Sequence, residues 1–87
     1  MKKIPIECLI PKEFDPADIV DLRGLEAPEP MVRILEASMQ LGPDEHYLAL
    51  LPHVPQPLFP HLEARQLAWQ LFEQTDGSAV LIVRRNT

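Results

Sequence analysis

Apolar positions along the chain change their period several times, and each change predicts an element. Ile19-Val20-Asp21-Leu22 is a short β-prone run that Gly24 ends. Pro28 suits the first turn of a helix, and Glu29 complements that helix's positive end. Beyond them Met31, Ile34, Leu35, Ser38 and Leu41 recur at spacings of three and four, as one buried helical face requires, before Gly42-Pro43 stops the helix. Residues 46–51 read as a second strand, which Pro52 ends. His53-Val54-Pro55-Gln56-Pro57 is then a loop, and Pro57 opens a shorter helix running to about Gln66, with Leu58, Phe59 and Leu62 facing inward. Residues 68–75 and 78–85 form two further strands joined at Asp76-Gly77, a hairpin signal because glycine tolerates positive φ.

The order β-α-β-α-β-β predicts an α+β fold, a two-layer sandwich with two helices on one face of a four-stranded mixed sheet. The first two strands, each followed by a helix, are expected to run parallel with right-handed crossovers. Two strands carry a second signal. Tyr47, Ala49 and Leu51 alternate with Leu48 and Leu50, and Val80 and Ile82 alternate with Ala79, Leu81 and Val83, so both faces of these strands are apolar. Helices cover only one face of such a sheet. The other must meet residues 1–17, a second subunit or a partner. Residues 1–17 show no period and hold three prolines; they read as a tail ordered by Ile4, Ile6, Leu9 and Phe14, with the domain at 18–87.

An 87-residue chain has room for one domain with one modest core, and 46% apolar residues argue against wholesale disorder. Thirteen acidic against eight basic residues give a net charge of −5, and the adjacent basic pairs Lys2-Lys3 and Arg84-Arg85 lie near the chain ends. Phosphate-backbone binding needs Lys and Arg clustered on one face, so no nucleic-acid partner is expected. The single cysteine, Cys8, excludes an internal disulfide and a multi-cysteine zinc site. Pro5, Glu7, Pro11 and Lys12 interrupt the apolar segment that a secretory signal needs, and no stretch approaches the roughly 20 apolar residues of a membrane span. A cytoplasmic, soluble protein without membrane attachment is the expectation.

The stretch Asp21-Leu22-Arg23-Gly24-Leu25, followed by the Pro28-Glu29-Pro30 helix start, resembles the signature of the TusA/SirA-like sulfur-carrier fold. In those carriers a cysteine directly before the first proline holds a persulfide; here that position is Ala27. With His53-x-Pro55-x-Pro57-Leu58 as a second feature, the chain looks most like the uncharacterised TusA-like group catalogued as domain-of-unknown-function family 2249. The resemblance covers roughly residues 19–85 and implies the same β-α-β-α-β-β sandwich. Its carrier chemistry does not follow. A persulfide carrier needs a thiolate, which a helix N-terminus favours, and Ala27 has nothing to ionise. Cys8 lies in the tail with no helix start to activate it, and reads as a small packing residue or an idle thiol.

Loops after the carboxyl ends of parallel strands share one edge and commonly form a binding crevice. That rule brings Arg23, Pro28, Glu29 and His53 together as candidate ligand-binding residues. In one reading Arg23 holds an anion beside the free N–H groups of the first helical turn, while His53 accepts a proton or ligates a metal. In the other, Arg23 pairs with Glu29 or Asp21 and His53 bonds a loop carbonyl. Glu29, His53 and His61 match no established metal-ligand spacing, so no metal and no cofactor are expected. Ser38 and Ser78 have no base placed beside them for acyl transfer, so no catalytic residue is assigned. Trp69 reads as core or interface packing. The leading expectation is a non-enzymatic, cytoplasmic module acting through a protein partner or as a homodimer. Against it stand a sulfur-relay or anionic-ligand protein using Arg23, Glu29 and His53, and a metal- or haem-linked redox accessory protein.

Overall fold

A computed structural model describes residues 10–85. Cys8 and most of the expected tail contacts lie outside them. A 3₁₀ turn at Pro16–Asp18, capped by Asp15 accepting from the Ala17 amide at 2.9 Å, leads into β1 (Ile19–Asp21). Then follow α1 (Glu29–Ser38), β2 (His46–Leu51), a 3₁₀ turn at Gln56–Leu58, α2 (Phe59–Ala64), β3 (Leu67–Glu73) and β4 (Ala79–Arg85). The sheet order is β1-β2-β4-β3. β1 and β2 are parallel, with Ile19 opposite Leu48, whereas β4 runs antiparallel to both β2 and β3. The expected α+β sandwich and its parallel first pair are therefore present.

Pro28 caps α1 and Pro30 sits in its first turn, where a missing N–H removes no intrahelical bond. The predicted apolar stripe faces the sheet: Ile34 and Ser38 are buried, and Met31, Leu35 and Leu41 pack against the core. The helix ends at Ser38, ahead of Gly42-Pro43, because it tightens into three-residue turns, with Gln40 N donating to Ala37 O and Leu41 N to Ser38 O. α2 stops at Ala64 rather than near Gln66. Gln66 takes φ 57°, and its amide closes on the Glu63 carbonyl at 3.0 Å, so the chain turns out of the helix there.

Alternation along the strands divides the interior into two cores. Ala49, Leu51, Leu81 and Val83 meet Ile34, Leu58 and Leu62 on the helix side. Leu48, Leu50, Val80 and Ile82, with Ile19, form the opposite core. Leu48 pairs with Ile82 and Leu50 with Val80 across the β2–β4 ladder, so that face is a continuous apolar patch. Ile10, Phe14 and Phe72 pack on it, and the Phe14 ring meets His46 edge-on at 5.0 Å between centroids. On the helix side Phe59 stacks on Trp69, with centroids 5.3 Å apart, so Trp69 packs against the core.

The β3–β4 connection spans residues 74–78, longer than the two-residue hairpin expected: the Gln74 amide donates to the Ser78 carbonyl at 2.8 Å, and the turn inside that bond is organised by Asp76. Its carboxylate accepts from the Ser78 amide at 3.0 Å and from the Ser78 hydroxyl, while Gly77 takes φ 89°. These bonds from Ser78, with a smaller contribution from the Arg23 charge, hold the Asp76 carboxyl below the usual carboxylate range. A lowered folded value means that this contribution is present above the unfolded value, about 3.9, and is lost as pH falls from there through the folded value. Asp76→Asn is therefore expected to lower stability at pH 7 and to flatten the acid limb of the stability curve below about pH 4. Urea titrations across pH 2–7 measure both, and an unaltered acid limb would remove Asp76 from the account.

Candidate functional site

The parallel pair places the carboxyl ends of β1 and β2 at one edge of the sheet, where residues 22–28 and 52–55 leave the strands. Leu51 pairs with Ala79, so the 74–78 connection rises at the same edge. Between the start of α1 and the loop after β2 lies a cleft of about 180 Å³. Leu25, Met31 and Leu51 supply apolar lining; Pro28, Pro30, Pro52, Pro55 and Pro57 supply most of the rest. Proline has no N–H to leave unpaired and holds φ fixed, so a wall of prolines is stiff and poor in donors. Ala27 lines this cleft, at the position where a sulfur carrier would hold its thiol.

The structure brings only some of the candidate residues together. Pro28 and His53 both line the cleft. His53 is exposed, with Nδ1 3.4 Å from the Val54 carbonyl, a long and weak contact. Arg23 turns to Asp21: Nε donates to Oδ1 at 2.9 Å and the terminal nitrogen to Oδ2 at 2.8 Å, a bidentate pair whose Asp21 also caps the Arg23 amide at 3.0 Å. Its charge also acts on Asp76 across the same edge. Glu29 is taken by Arg33, one helical turn on, at 3.0 Å; both side chains are about half exposed, so the pair contributes little to stability. Neither Arg23 nor Glu29 lines the cleft.

Among the described residues no group of three or more His, Cys, Asp or Glu side chains is placed to hold a metal ion. Glu29, His53 and His61 are thus not assembled into a ligand set. His61 is exposed on α2 and offers its backbone carbonyl to Arg65 at 3.1 Å. No described helix is long and apolar enough to cross a membrane. Sequence reasoning missed Leu25, Met31 and Leu51 as cleft residues. The legible signal for the cleft was the pair of Pro-x-Pro segments, one on each side of it.

Comparison with known proteins agrees with this architecture. The crystal structure of a SirA-like protein from Desulfitobacterium hafniense is similar to this chain, with a TM-score of 0.65. The two are 20% identical, and the match covers 75% of this chain and 92% of that one. Likeness at that identity speaks to the fold alone. No curated protein matches the chain. The model of an uncharacterized conserved protein family, DUF2249, matches residues 19–85. With its TusA/SirA-like sandwich and an alanine at the head of the first helix, this chain belongs to the DUF2249 family.

Proposed function

We propose that this domain is a non-enzymatic, cytoplasmic association module that receives an apolar side chain of a protein partner in the proline-lined cleft. The observation that carries the reading is the cleft's chemistry. Its wall holds Ala27 in place of a nucleophile, and its lining is proline and aliphatic, with His53 the one titratable side chain. At about 180 Å³ it is smaller than the roughly 300–1,000 Å³ of ordinary small-molecule sites. A single inserted apolar anchor of the kind found at interface centres suits it better. The Asp21–Arg23 pair weighs against a sulfur-relay or anionic-ligand reading at this edge, since the guanidinium already has a bidentate carboxylate. Ile10 and Phe14 lie on the sheet face that a symmetric dimer would use, which favours a different protein over a second copy.

Filling the cleft tests the proposal. Ala27 is exposed at the cleft wall, so Ala27→Trp is expected to fold normally while blocking insertion. With wild-type and variant domains as paired baits in the native cell, at least one partner should fall about tenfold with the variant, equivalent to about 1.4 kcal/mol. Thermal melts confirm that the variant is folded. Equal recovery of every captured protein on both baits would reject the cleft as the docking site.

A further inference from the structure

β3 (Leu67–Glu73) is an edge of the sheet, and among the described residues no strand but β4 pairs with it. The other edge, β1, is three residues long, whereas β3 runs for seven in unbroken register with β4. Short strands, bulges, prolines and lysines ordinarily keep an edge from pairing with another chain, and β3 has none of them. Its one charge, Glu73, stands at the end of the strand, while Trp69, Leu71 and Phe72 are half-buried. Two hydrogen bonds fix which backbone groups of β3 look outward. The Gln74 amide donates to the Ser78 carbonyl at 2.8 Å, and the Leu22 amide to the Leu50 carbonyl at 2.9 Å. Bonded and non-bonded pairs alternate along an antiparallel ladder. The first bond therefore makes Phe72–Val80, Gln70–Ile82 and Ala68–Arg84 the bonded pairs of β3 with β4. The second turns Leu50 toward β1, which leaves its neighbour Val80 to bond β3 and gives the same phase. The N–H and C=O groups of Leu67, Trp69, Leu71 and Glu73 consequently point away from β4, along the open edge.

We propose that β3 pairs antiparallel with β3 of a second copy about a two-fold axis at Gln70, joining two four-stranded sheets into one. Centred there, Leu67 lies opposite the second copy's Glu73 and Trp69 opposite its Leu71, so every outward donor and acceptor meets a partner. Sliding the pair by two residues leaves the outward groups of one end unpaired. Sliding it by one sets outward groups against groups already bonded to β4. The side chains fit the same register. Small Ala68 lies opposite bulky Phe72 on the rear face, and the half-buried Trp69 and Leu71 cover each other on the helix face. Glu73 faces Leu67 rather than its own counterpart, which matters between two chains of net charge −5 each. A strand that complements itself in this way fits a second copy better than an unrelated chain. The pairing leaves in place the Ile10 and Phe14 cover that blocks a face-to-face dimer. No residue of β3 lines the proline-lined cleft, so the edge and the cleft stand or fall separately.

Amide hydrogen exchange on the wild-type chain is the first measurement. Between about 10 µM and about 500 µM, exchange at Trp69, Leu71 and Glu73 is expected to slow at least about threefold, as a dimer Kd of about 100 µM or below requires. The register is tested at Gln70, whose side chain is exposed, so that a charge there spares the fold. Gln70 faces its own counterpart in a non-hydrogen-bonded pair, where side chains come closest. Gln70→Lys and Gln70→Glu, each alone, set like charges across the axis and should weaken the dimer at least about fivefold by sedimentation. Mixed in equal amounts they set opposite charges there, and the dimer should return. A wild-type chain still monomeric at about 500 µM would leave the edge to a strand of another protein and reject the second copy. A dimer in which exchange at these three amides ignores concentration would place the interface elsewhere and overturn the proposal. So would a mixture that associates no better than the separate variants.

Discussion

Ile82→Glu is expected to unfold this domain at neutral pH. In a two-layer sandwich with a bare rear face, a glutamate there would simply meet water. Here Ile82 is 2% exposed, in a core with Ile19, Leu48, Leu50 and Val80, and Ile10, Phe14 and Phe72 pack over it. The substitution gives up about 1.5–3 kcal/mol of apolar burial and places an unpaired carboxylate among aliphatic side chains. A total loss of about 4–5 kcal/mol or more approaches the entire stability of a small domain, about 5–15 kcal/mol. Phe14→Ala removes part of the cover without burying a charge, so a smaller loss of about 1–3 kcal/mol with the fold retained is expected. Circular dichroism with urea titration measures both. A folded Ile82→Glu protein with an unchanged midpoint would show that the rear face is open to solvent. Leu81 lies on the helix side, so Leu81→Glu probes the other core and leaves this question unanswered.

Incubated with a cysteine desulfurase and labelled cysteine, the wild-type protein is expected to take up no sulfur on residues 21–30. The attacking atom of a persulfide carrier is a thiolate, and Ala27 supplies a methyl group at the cleft wall. Ala27→Cys in a Cys8→Ser background places a thiol next to the N-terminal end of α1, where the helix dipole favours the anion, and there label should appear. Peptide mass spectrometry locates the label. Sulfur bound stably to Cys8 of the wild type would revive a carrier role and count against the association module.

Much of this fold is legible because its determinants are local. The three-and-four spacing of Met31, Ile34, Leu35 and Ser38 belongs to the chain before it folds, and only one helical face can hide it. The two-sided apolar character of residues 47–51 and 79–83 likewise called for a cover on the rear face, although one modest core was expected and the sheet separates two. Element ends were less legible, since they rest on single side chains. Gln66 entering the left-handed region and Asp76 bonding Ser78 are choices that composition does not announce.

The candidate edge divides the same way. The prolines at 28, 30, 52, 55 and 57 marked two loops, and the parallel pairing of β1 with β2 brings those loops to one edge. Partner choice among charges was open: Arg23 had Asp21 and Glu29 within plausible reach, and the contest went to the carboxylate two residues away. That pair closes with little chain entropy, whereas Glu29 is claimed by Arg33 a helical turn on. The packing at the far edge had no sequence signal. Periodicity marked Ser38 as buried, but that its hydroxyl meets no acceptor there is a fact of packing between distant segments. By itself, then, the sequence determined the order of elements, their inward faces and the absence of a thiol before Pro28, because each depends on residue type and spacing along the chain. Only the tertiary structure decided which side chains meet, what covers the rear of the sheet and which polar groups stay unpaired, because those outcomes depend on distances between segments that no local pattern encodes.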